Sequence, residues 1–310
     1  MIINGVQIDE TFAEAFPMKA TRLIITADSK RWAFTAANSM IGFSTSVIAC
    51  GVETGIEREL RTYETLDKRP GISVLLFAMS GKQLIKHVIT RTGQCVMTTP
   101  TTACFSGIEE GAKIKLGAAI RYFGDGFQIS KLLGGKRYWR IPIMDGEFLC
   151  EDYTYQVPAV GGGNFLICAK SRRQALRAAE RAIKAMSRLP NVIMPFPGGV
   201  VGSGSKVGSK YKALIASTNE AFCPTLKGVT KTELSPDTES VMEIVINGLS
   251  EDDVARAMRV GVRAVCELGK KGGITRITAG NYGGKLGPYH FHLHKILKAG
   301  KKRAKKGAKK

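Results

Sequence analysis

The chain has 310 residues, of which 44% are hydrophobic, and this length is enough for about two domains with separate cores. Its longest apolar run, from Ile72 to Met79 with one serine inside, is much shorter than the roughly 20 residues of a membrane-spanning helix, so we predict no membrane span. The formal net charge is +20, and the N-terminus carries Asp9, Glu10 and Glu14 in place of the basic and apolar parts of a signal peptide, which indicates a cytoplasmic protein.

Strand-like and helix-like segments alternate in the first half of the chain. Apolar runs rich in β-branched residues predict the strands, and segments with period 3.6 predict the helices. Residues 107–157 alternate short strand-like pieces with glycine turns, which indicates a β-rich insertion. The predicted strands cover residues 22–27, 45–50 and 72–79, and the predicted helices cover residues 29–40 and 82–92.

The second half repeats this order of elements. Leu176, Ala179, Ile183 and Met186 recur at helical spacing and predict one apolar face on a helix over residues 171–187. A second helix is predicted to begin at Ser250, because a serine cap followed by acidic residues is a strong start signal. The predicted strands of this half cover residues 164–169, 192–196, 240–247 and 274–279.

Strand–helix–strand units that occur twice in each half favour an α+β fold of two ferredoxin-like (split βαβ) lobes. In such lobes two helices cover one face of an antiparallel sheet. We assign residues 1–150 to an N-terminal lobe with the β-rich insertion, and residues 151–297 to a C-terminal lobe. Residues 298–310 contain eight Lys or Arg and otherwise only Ala and Gly, which predicts a disordered tail.

The cysteine and histidine patterns do not predict a metal site. The seven cysteines are scattered without any CxxC pair, as is typical of reduced, mostly buried thiols. His290, His292 and His294 alternate, which would place three imidazoles on one face of a strand. Such a face could bind a metal, but we interpret it as a solvent-facing strand.

Glycine-rich segments are the most informative feature of the sequence. Residues 195–199 contain two prolines and two glycines, and glycines recur through residues 203–210. Gly208 is followed by Ser209 and Lys210, so the phosphate-loop spacing fails. Three further glycine-rich segments carry asparagine or acid at similar places, so we predict that several loops converge on one cleft. These segments are residues 123–127, 161–165 and 279–287.

Ordered matches along residues 1–297 indicate a family. Besides the glycine-rich segments, the matching stretches are residues 4–6, 11–16, 45–48, 69–71, 93–96, 146–148, 203–208 and 243–248. With these stretches the chain closely resembles the formylmethanofuran:tetrahydromethanopterin formyltransferases. The resemblance implies two α+β lobes, a homo-oligomer (dimer or tetramer), and methanofuran or methylofuran and tetrahydromethanopterin as cosubstrates, with no tightly bound cofactor and no metal.

One carboxylate stands inside the apolar strand predicted over residues 240–247. By alternation Glu243 shares a face with Val241, Val245 and Asn247. Desolvation among valines raises the pKa of a carboxyl group and favours its neutral, proton-donating form. The resemblance implies that Glu243 stabilises the charge that develops on the formyl oxygen during direct transfer between the two coenzymes. On the residues alone, an exposed or ion-paired structural glutamate is an open alternative.

We expect the loops to bring backbone N–H groups, amides and positive charge to two extended anionic coenzymes, one with glutamyl and one with phosphate-bearing arms. The sequence does not assign each loop to one coenzyme. The predicted substrate-binding residues are Gly162, Gly163, Asn164, Pro197, Gly198, Gly199, Ser203, Lys206, Asn219, Asn247, Asn281, Gly283, Gly284 and Lys285.

The strongly basic charge departs from the archaeal members of this family, which are typically acidic. It favours the variant of methylotrophic bacteria, whose formyltransferase works within a formyltransferase/hydrolase complex on a furan coenzyme with a polyglutamate arm. Two rival functions remain open: a basic nucleic-acid-binding protein, suggested by the sequence pI of about 9.8, and a non-catalytic scaffold subunit of such a complex. The absence of an aromatic RNA-binding strand motif disfavours the first, and the presence of Glu243 disfavours the second.

Overall fold

The computed structural model describes residues 1–299. The α-helices are α1 (Lys30–Ile41), α2 (Val47–Cys50), α3 (Gly81–Arg91), α4 (Gly117–Ile120), α5 (Arg172–Met186), α6 (Glu251–Leu268) and α7 (residues 293–299). The strands are β1 (Ile2–Ile3), β2 (Val6–Ile8), β3 (Phe12–Thr26), β4 (Glu53–Leu60), β5 (Gly71–Ala78), β6 (Ala103–Ser106), β7 (Ala112–Lys115), β8 (Ile129–Leu133), β9 (Lys136–Ile143), β10 (Gly146–Glu151), β11 (Tyr153–Ala169), β12 (Val192–Ile193), β13 (Lys206–Val207), β14 (Ala216–Ser217), β15 (Ser240–Gly248), β16 (Ile274–Thr278) and β17 (Tyr289–His292). The chain therefore has an α+β fold, as the sequence predicts.

Fifteen strands form one sheet that continues through two long strands, β3 and β11. These two strands pair antiparallel with each other, from Val157 opposite Ala20 to Gly161 opposite Phe16. Each long strand then continues into its own half of the molecule. β3 pairs with β5 and β6, and β11 pairs with β15 and β16.

The two halves use the same antiparallel strand order. In the first half the order is β4-β5-β3-β6, and in the second half it is β12-β15-β11-β16. Helices α1 and α3 pack on the first set of strands, and α5 and α6 pack on the second. The predicted insertion contains β7 to β10, of which β8, β9 and β10 extend the sheet from β6 to its edge.

Each half has its own hydrophobic core, but the chain start belongs to the second one. Val6, Ile8 and Ala13 lie in the same buried cluster as Phe165 and Ile277. The second core therefore draws on the first residues of the chain as well as on the half that follows β10.

Several predicted elements differ from the structure. Residues 45–50 contain the short helix α2 rather than a strand, because the Ser46 hydroxyl accepts the backbone N–H of Ile48 and caps a helical turn. The second strand of the first half is β4, which the sequence analysis missed. The strand predicted over residues 192–196 ends at Ile193, where Met194 and two prolines follow.

Other details of the surface also differ. Leu176 is exposed on α5, whose buried face is formed mainly by alanines. His294 lies in α7 rather than in β17, and its Nε2 atom is 2.9 Å from the carbonyl oxygen of Ile8, so the three histidines do not share a strand face. All seven cysteines are free and four are buried. Lys298 lies within α7, and residues 300–310 of the predicted tail fall outside the described residues.

Candidate functional site

A cavity of about 590 Å³ opens on the side of the second-half sheet that faces away from α5 and α6. Strands β15, β11 and β16 form its floor. Its walls are formed by loop residues 202–205, 219, 222–223, 233 and 279–282, and by residues 9–11 between β2 and β3. The prediction that the glycine-rich segments near residues 203 and 281 lie at one cleft therefore agrees with the structure, whereas the segment at residues 123–127 does not line this cavity.

The sheet register determines which side chains reach the cavity. Leu166 on β11 is paired with Glu243 on β15 and with Thr278 on β16, so these three residues form one row across the floor. Their neighbours along the strands point to the opposite face, where Ile244 and Ile277 are fully buried in the core beneath the helices. Helix packing on one face thus leaves the other face open to a ligand.

Glu243 is the acidic group of this floor. Its backbone N–H and carbonyl form an antiparallel bridge with Val201, with N–O distances of 3.2 and 2.8 Å, and this bridge holds the loop that follows Gly199 against the strand. Within residues 1–299 its carboxyl group has no hydrogen-bond or ion-pair partner. Burial raises the pKa of Glu243 from 4.5 to about 7. A large fraction of the carboxyl groups is therefore neutral near pH 7 and able to donate a proton.

Asn164 connects two of the glycine-rich segments. Its Nδ2 atom donates to the carbonyl oxygens of Gly162 and Gly280, both at 3.1 Å, and its Oδ1 atom accepts the backbone N–H of Gly280 at 2.6 Å. The amide is almost fully buried and also lines the cavity. Its hydrogen bonds to backbone mean that it fixes the cavity wall as well as presenting polar surface to a ligand.

The structure brings six of the predicted site residues to the cavity and places nine elsewhere. Asn247 is fully buried, donates to Glu53 Oε2 at 2.5 Å and accepts the Gly162 N–H at 3.0 Å, so it supports the strand bend rather than facing the cavity. Lining the cavity are Asn164, Ser203, Lys206, Asn219, Glu243 and Asn281; outside its lining are Gly162, Gly163, Pro197, Gly198, Gly199, Asn247, Gly283, Gly284 and Lys285.

The cavity lining is less basic than the sequence predicts. Lys206 forms an ion pair with Glu220, and Arg276 lies 3.4 Å from Asp9, measured from Nε to Oδ2. Both cations of the lining are therefore partly neutralised by neighbouring acids. In the part of the chain that the structure describes, the acidic and basic residues of the lining are Asp9, Glu10, Lys206, Glu233, Glu243 and Arg276.

Two residues near the cavity were missed in the sequence analysis. Tyr282 lines the cavity together with Glu243. Glu14 is a buried carboxylate behind the loop that carries Tyr282. A signal for Glu14 was present, because it is an isolated acid between Ala13 and Ala15, the same pattern that identified Glu243. Tyr282 gave no signal beyond its place in a glycine-rich segment.

Known proteins with similar sequences and structures cover almost the whole chain. A formylmethanofuran–tetrahydromethanopterin formyltransferase of Methylococcus capsulatus is 70% identical over 297 residues, which are 96% of this chain and 100% of that protein. The formyltransferase/hydrolase complex of Methylorubrum extorquens, solved with methylofuran, contains a chain that is 50% identical, with a TM-score of 0.94 and coverage of 96% of this chain and 98% of that one. The formyltransferase of Methanosarcina barkeri is 45% identical, with a TM-score of 0.90 and coverage of 96% and 100%.

Two family profiles match consecutive parts of the chain. The profile of formylmethanofuran–tetrahydromethanopterin formyltransferase matches residues 1–143, and the profile described as its proximal lobe matches residues 146–296. The fold and the cavity, read with these matches, define a formyltransferase, an enzyme that moves a formyl group between two ligands. The chain belongs to the formylmethanofuran–tetrahydromethanopterin formyltransferase family. The nucleic-acid-binding alternative is therefore not favoured.

Proposed function

We propose that the formyl group moves directly between the furan coenzyme and N5 of tetrahydromethanopterin, with Glu243 as the proton donor. The observation that supports this most strongly is the isolated carboxyl group of Glu243 on the cavity floor, whose pKa burial raises to about 7. A neutral acid in a desolvated site is suited to give a proton to an oxygen on which negative charge develops.

In this mechanism the amine nitrogen of the acceptor attacks the formyl carbon, and the carbonyl π electrons move to the oxygen. The neutral Glu243 carboxyl donates a hydrogen bond or its proton to this oxygen, which stabilises the tetrahedral intermediate. The attacking nitrogen gives up its own N–H proton, and the donor nitrogen takes up one proton as its bond to the formyl carbon breaks, so a proton passes from acceptor to donor in exchange for the formyl group. The formyl C=O re-forms as its oxygen returns the other proton to Glu243. The same groups serve both directions of transfer, so the residues do not set the physiological direction.

The loops of the cavity wall supply the binding surface in this proposal. Ser203, Lys206, Asn219 and Asn281 present a hydroxyl, an ammonium and two amides around the opening, and these groups suit polar coenzymes with anionic arms. The glycines outside the lining would act indirectly, by shaping these loops. We further propose that each half is a ferredoxin-like (split βαβ) lobe, because both halves have the same antiparallel order of four strands with two helices.

We also infer that the chain works in the cytoplasm on methylofuran with a polyglutamate arm, alongside the hydrolase subunits of a formyltransferase/hydrolase complex or as a homo-oligomer. The net charge of +20 and the 50% identity to a chain of such a complex support this inference. Among the helices within residues 1–299, none has the length and apolar character needed to cross a bilayer. A scaffold role is disfavoured by the half-buried Glu243 carboxyl on the cavity floor.

The test is turnover with both coenzymes for Glu243→Gln. Glutamine preserves the shape of the side chain but cannot donate an acidic proton, so we expect kcat to fall by about a hundredfold or more with little change in KM. The matched control is Glu239→Gln, because Glu239 precedes the same strand, is exposed and pairs with Lys227 at 2.9 Å. The control is expected to keep wild-type turnover. Near wild-type kcat in Glu243→Gln would refute the proton-donor role.

A further inference from the structure

Glu14 on β3 is a buried carboxylate that binds backbone rather than a cation. Its Oε2 atom accepts the N–H groups of Tyr282 and Gly284 at 2.7 and 2.9 Å, and its Oε1 atom accepts those of Leu286 and Gly287, both at 2.6 Å. Only 1% of the residue is exposed. One side chain thus satisfies four donors of a six-residue loop segment.

The ionised form of Glu14 is stabilised by these donors. Burial opposes ionisation, but the four backbone N–H groups outweigh it and lower the pKa of Glu14 to about 2. In the described chain no Lys, Arg or His forms an ion pair with this carboxylate. Its charge is therefore balanced by peptide dipoles, which makes the geometry of the loop depend on the carboxylate and the carboxylate depend on the loop.

The loop is fitted closely around this carboxylate. Gly283 and Gly284 have φ angles of +73° and +72°, which let the backbone turn so that N–H groups on both sides of this pair point toward the carboxylate. Asn281 accepts the Gly283 N–H at 3.1 Å and donates to the Phe12 carbonyl oxygen at 3.2 Å. A Cβ atom at Gly287 would lie 2.3 Å from the Ala15 carbonyl oxygen, so the backbone packs directly on β3.

The same loop carries Tyr282, which lines the cavity together with Glu243. The ring centroid of Tyr282 lies 6.2 Å from that of Phe16, two residues beyond Glu14 on the same strand. Burial, and then the charges of Glu243 and Glu14, raise the pKa of Tyr282. The phenol therefore stays protonated at neutral pH and can donate a hydrogen bond.

We propose that Glu14 is a positioning residue for formyl transfer: by binding four N–H groups of the loop it holds Tyr282 beside Glu243, where the phenol donates a hydrogen bond to the reacting formyl group. This inference rests on the proposed transfer in the cavity and adds a second donor to it. If Glu14 only stabilised the loop, a phenol at the cavity would not be required. Neither kcat nor the contribution of Tyr282 to kcat would then depend on Glu14.

The test combines Glu14→Gln and Tyr282→Phe in a double-mutant cycle. Glutamine offers one acceptor oxygen where the carboxylate offers two, so at least two loop hydrogen bonds are lost. We expect each single change to lower kcat by about tenfold, and the double variant to lose little more than either alone, because both remove the same donor. Amide hydrogen exchange of residues 282–287 is expected to be faster in Glu14→Gln and unchanged in Tyr282→Phe.

Glu57→Gln is the matched control. Glu57 is also a buried carboxylate on a strand, but it accepts from Arg22, Ser73 and Asn191 and does not line the cavity. We expect it to keep kcat and normal exchange over residues 282–287.

Wild-type kcat in Tyr282→Phe would overturn the proposal even if Glu14→Gln did not fold. Multiplicative losses in the double variant would also overturn it, because the two residues would then act independently. Failure of the proposed proton donor is a separate result. It would appear as full activity in Glu243→Gln, whatever the outcome of the Glu14 and Tyr282 cycle.

Discussion

Removing the Glu243 carboxyl should make the stability of the protein less dependent on pH. Burial raises the pKa of this group from an ordinary value of 4.5 to about 7 in the folded protein. The folded state therefore holds the proton more tightly than the unfolded state. The stability that this group contributes is fully present below pH 4.5 and is lost as the pH rises through about 7, because above that range the folded state must hold a carboxylate in a desolvated position.

The size of this pH effect on stability follows from the shift in the pKa of Glu243. Each pKa unit corresponds to about 1.36 kcal/mol, so ionisation of Glu243 costs the folded state about 3 kcal/mol at high pH. Between pH 5 and pH 8.5, linkage predicts that the wild-type free energy of unfolding loses about 2.5 kcal/mol through this group. Glutamine does not titrate, so we expect Glu243→Gln to gain about 2.5 kcal/mol relative to wild type over the same interval.

The assay is urea unfolding of both proteins at pH 5 and at pH 8.5. The comparison between two pH values cancels any constant cost of burying the glutamine amide. In the control Glu57→Gln, the wild-type carboxylate has a pKa lowered mainly by its hydrogen bonds and charge pairing with Arg22, which outweigh burial, so it is ionised in both states across this range. That control should lose stability equally at both pH values. A stability difference for Glu243→Gln that does not change with pH would refute the raised pKa.

Three further predictions concern residues that support the cavity. Gly199→Ala should lower the free energy of unfolding by about 1 to 3 kcal/mol in urea titrations, because the new Cβ would lie 2.5 Å from Ile183 Cδ1 at a φ angle of +82°; unchanged stability would contradict this close packing. Asn164→Ala removes both links to Gly280, and steady-state kinetics should show kcat/KM reduced by about tenfold or more; a wild-type value would show that this link does not support the cavity. Phe165→Ala, in the core beneath the cavity floor, should lower stability by about 3 to 5 kcal/mol, and a loss below about 1 kcal/mol would mean that the core collapses around the gap.

The sequence predicts the regular elements well where local signals and burial agree. Strand β15 has alternating apolar residues, and helix α6 begins with a serine cap and acidic residues. Both elements lie close to the predicted bounds. Residues 45–50 were predicted wrongly because Val47, Ile48 and Ala49 also suit a strand, whereas the Ser46 cap and tertiary contacts favour a short helix. Local propensity does not decide such short apolar segments.

The site was predictable only in part, because its geometry depends on contacts between distant parts of the chain. An isolated acid in an apolar strand marks Glu243 from local pattern alone. The burial of Asn247 depends on its contact with Glu53 on β4, and the link between Glu14 and the loop after Asn281 depends on how β3 packs against residues far along the chain. The basic net charge of the chain also does not show where the positive charges lie, and the cavity lining contains both acidic and basic residues.

The most direct test of the central claim is the pH dependence of kcat for formyl transfer at saturating concentrations of both coenzymes. If neutral Glu243 donates the proton, kcat should be high below pH 6 and should fall as the pH rises through about 7, with tenfold loss per unit above it. The residual rate of Glu243→Gln should lack this transition. A wild-type kcat that is flat or rises between pH 6 and pH 8.5 would contradict a neutral acid at Glu243.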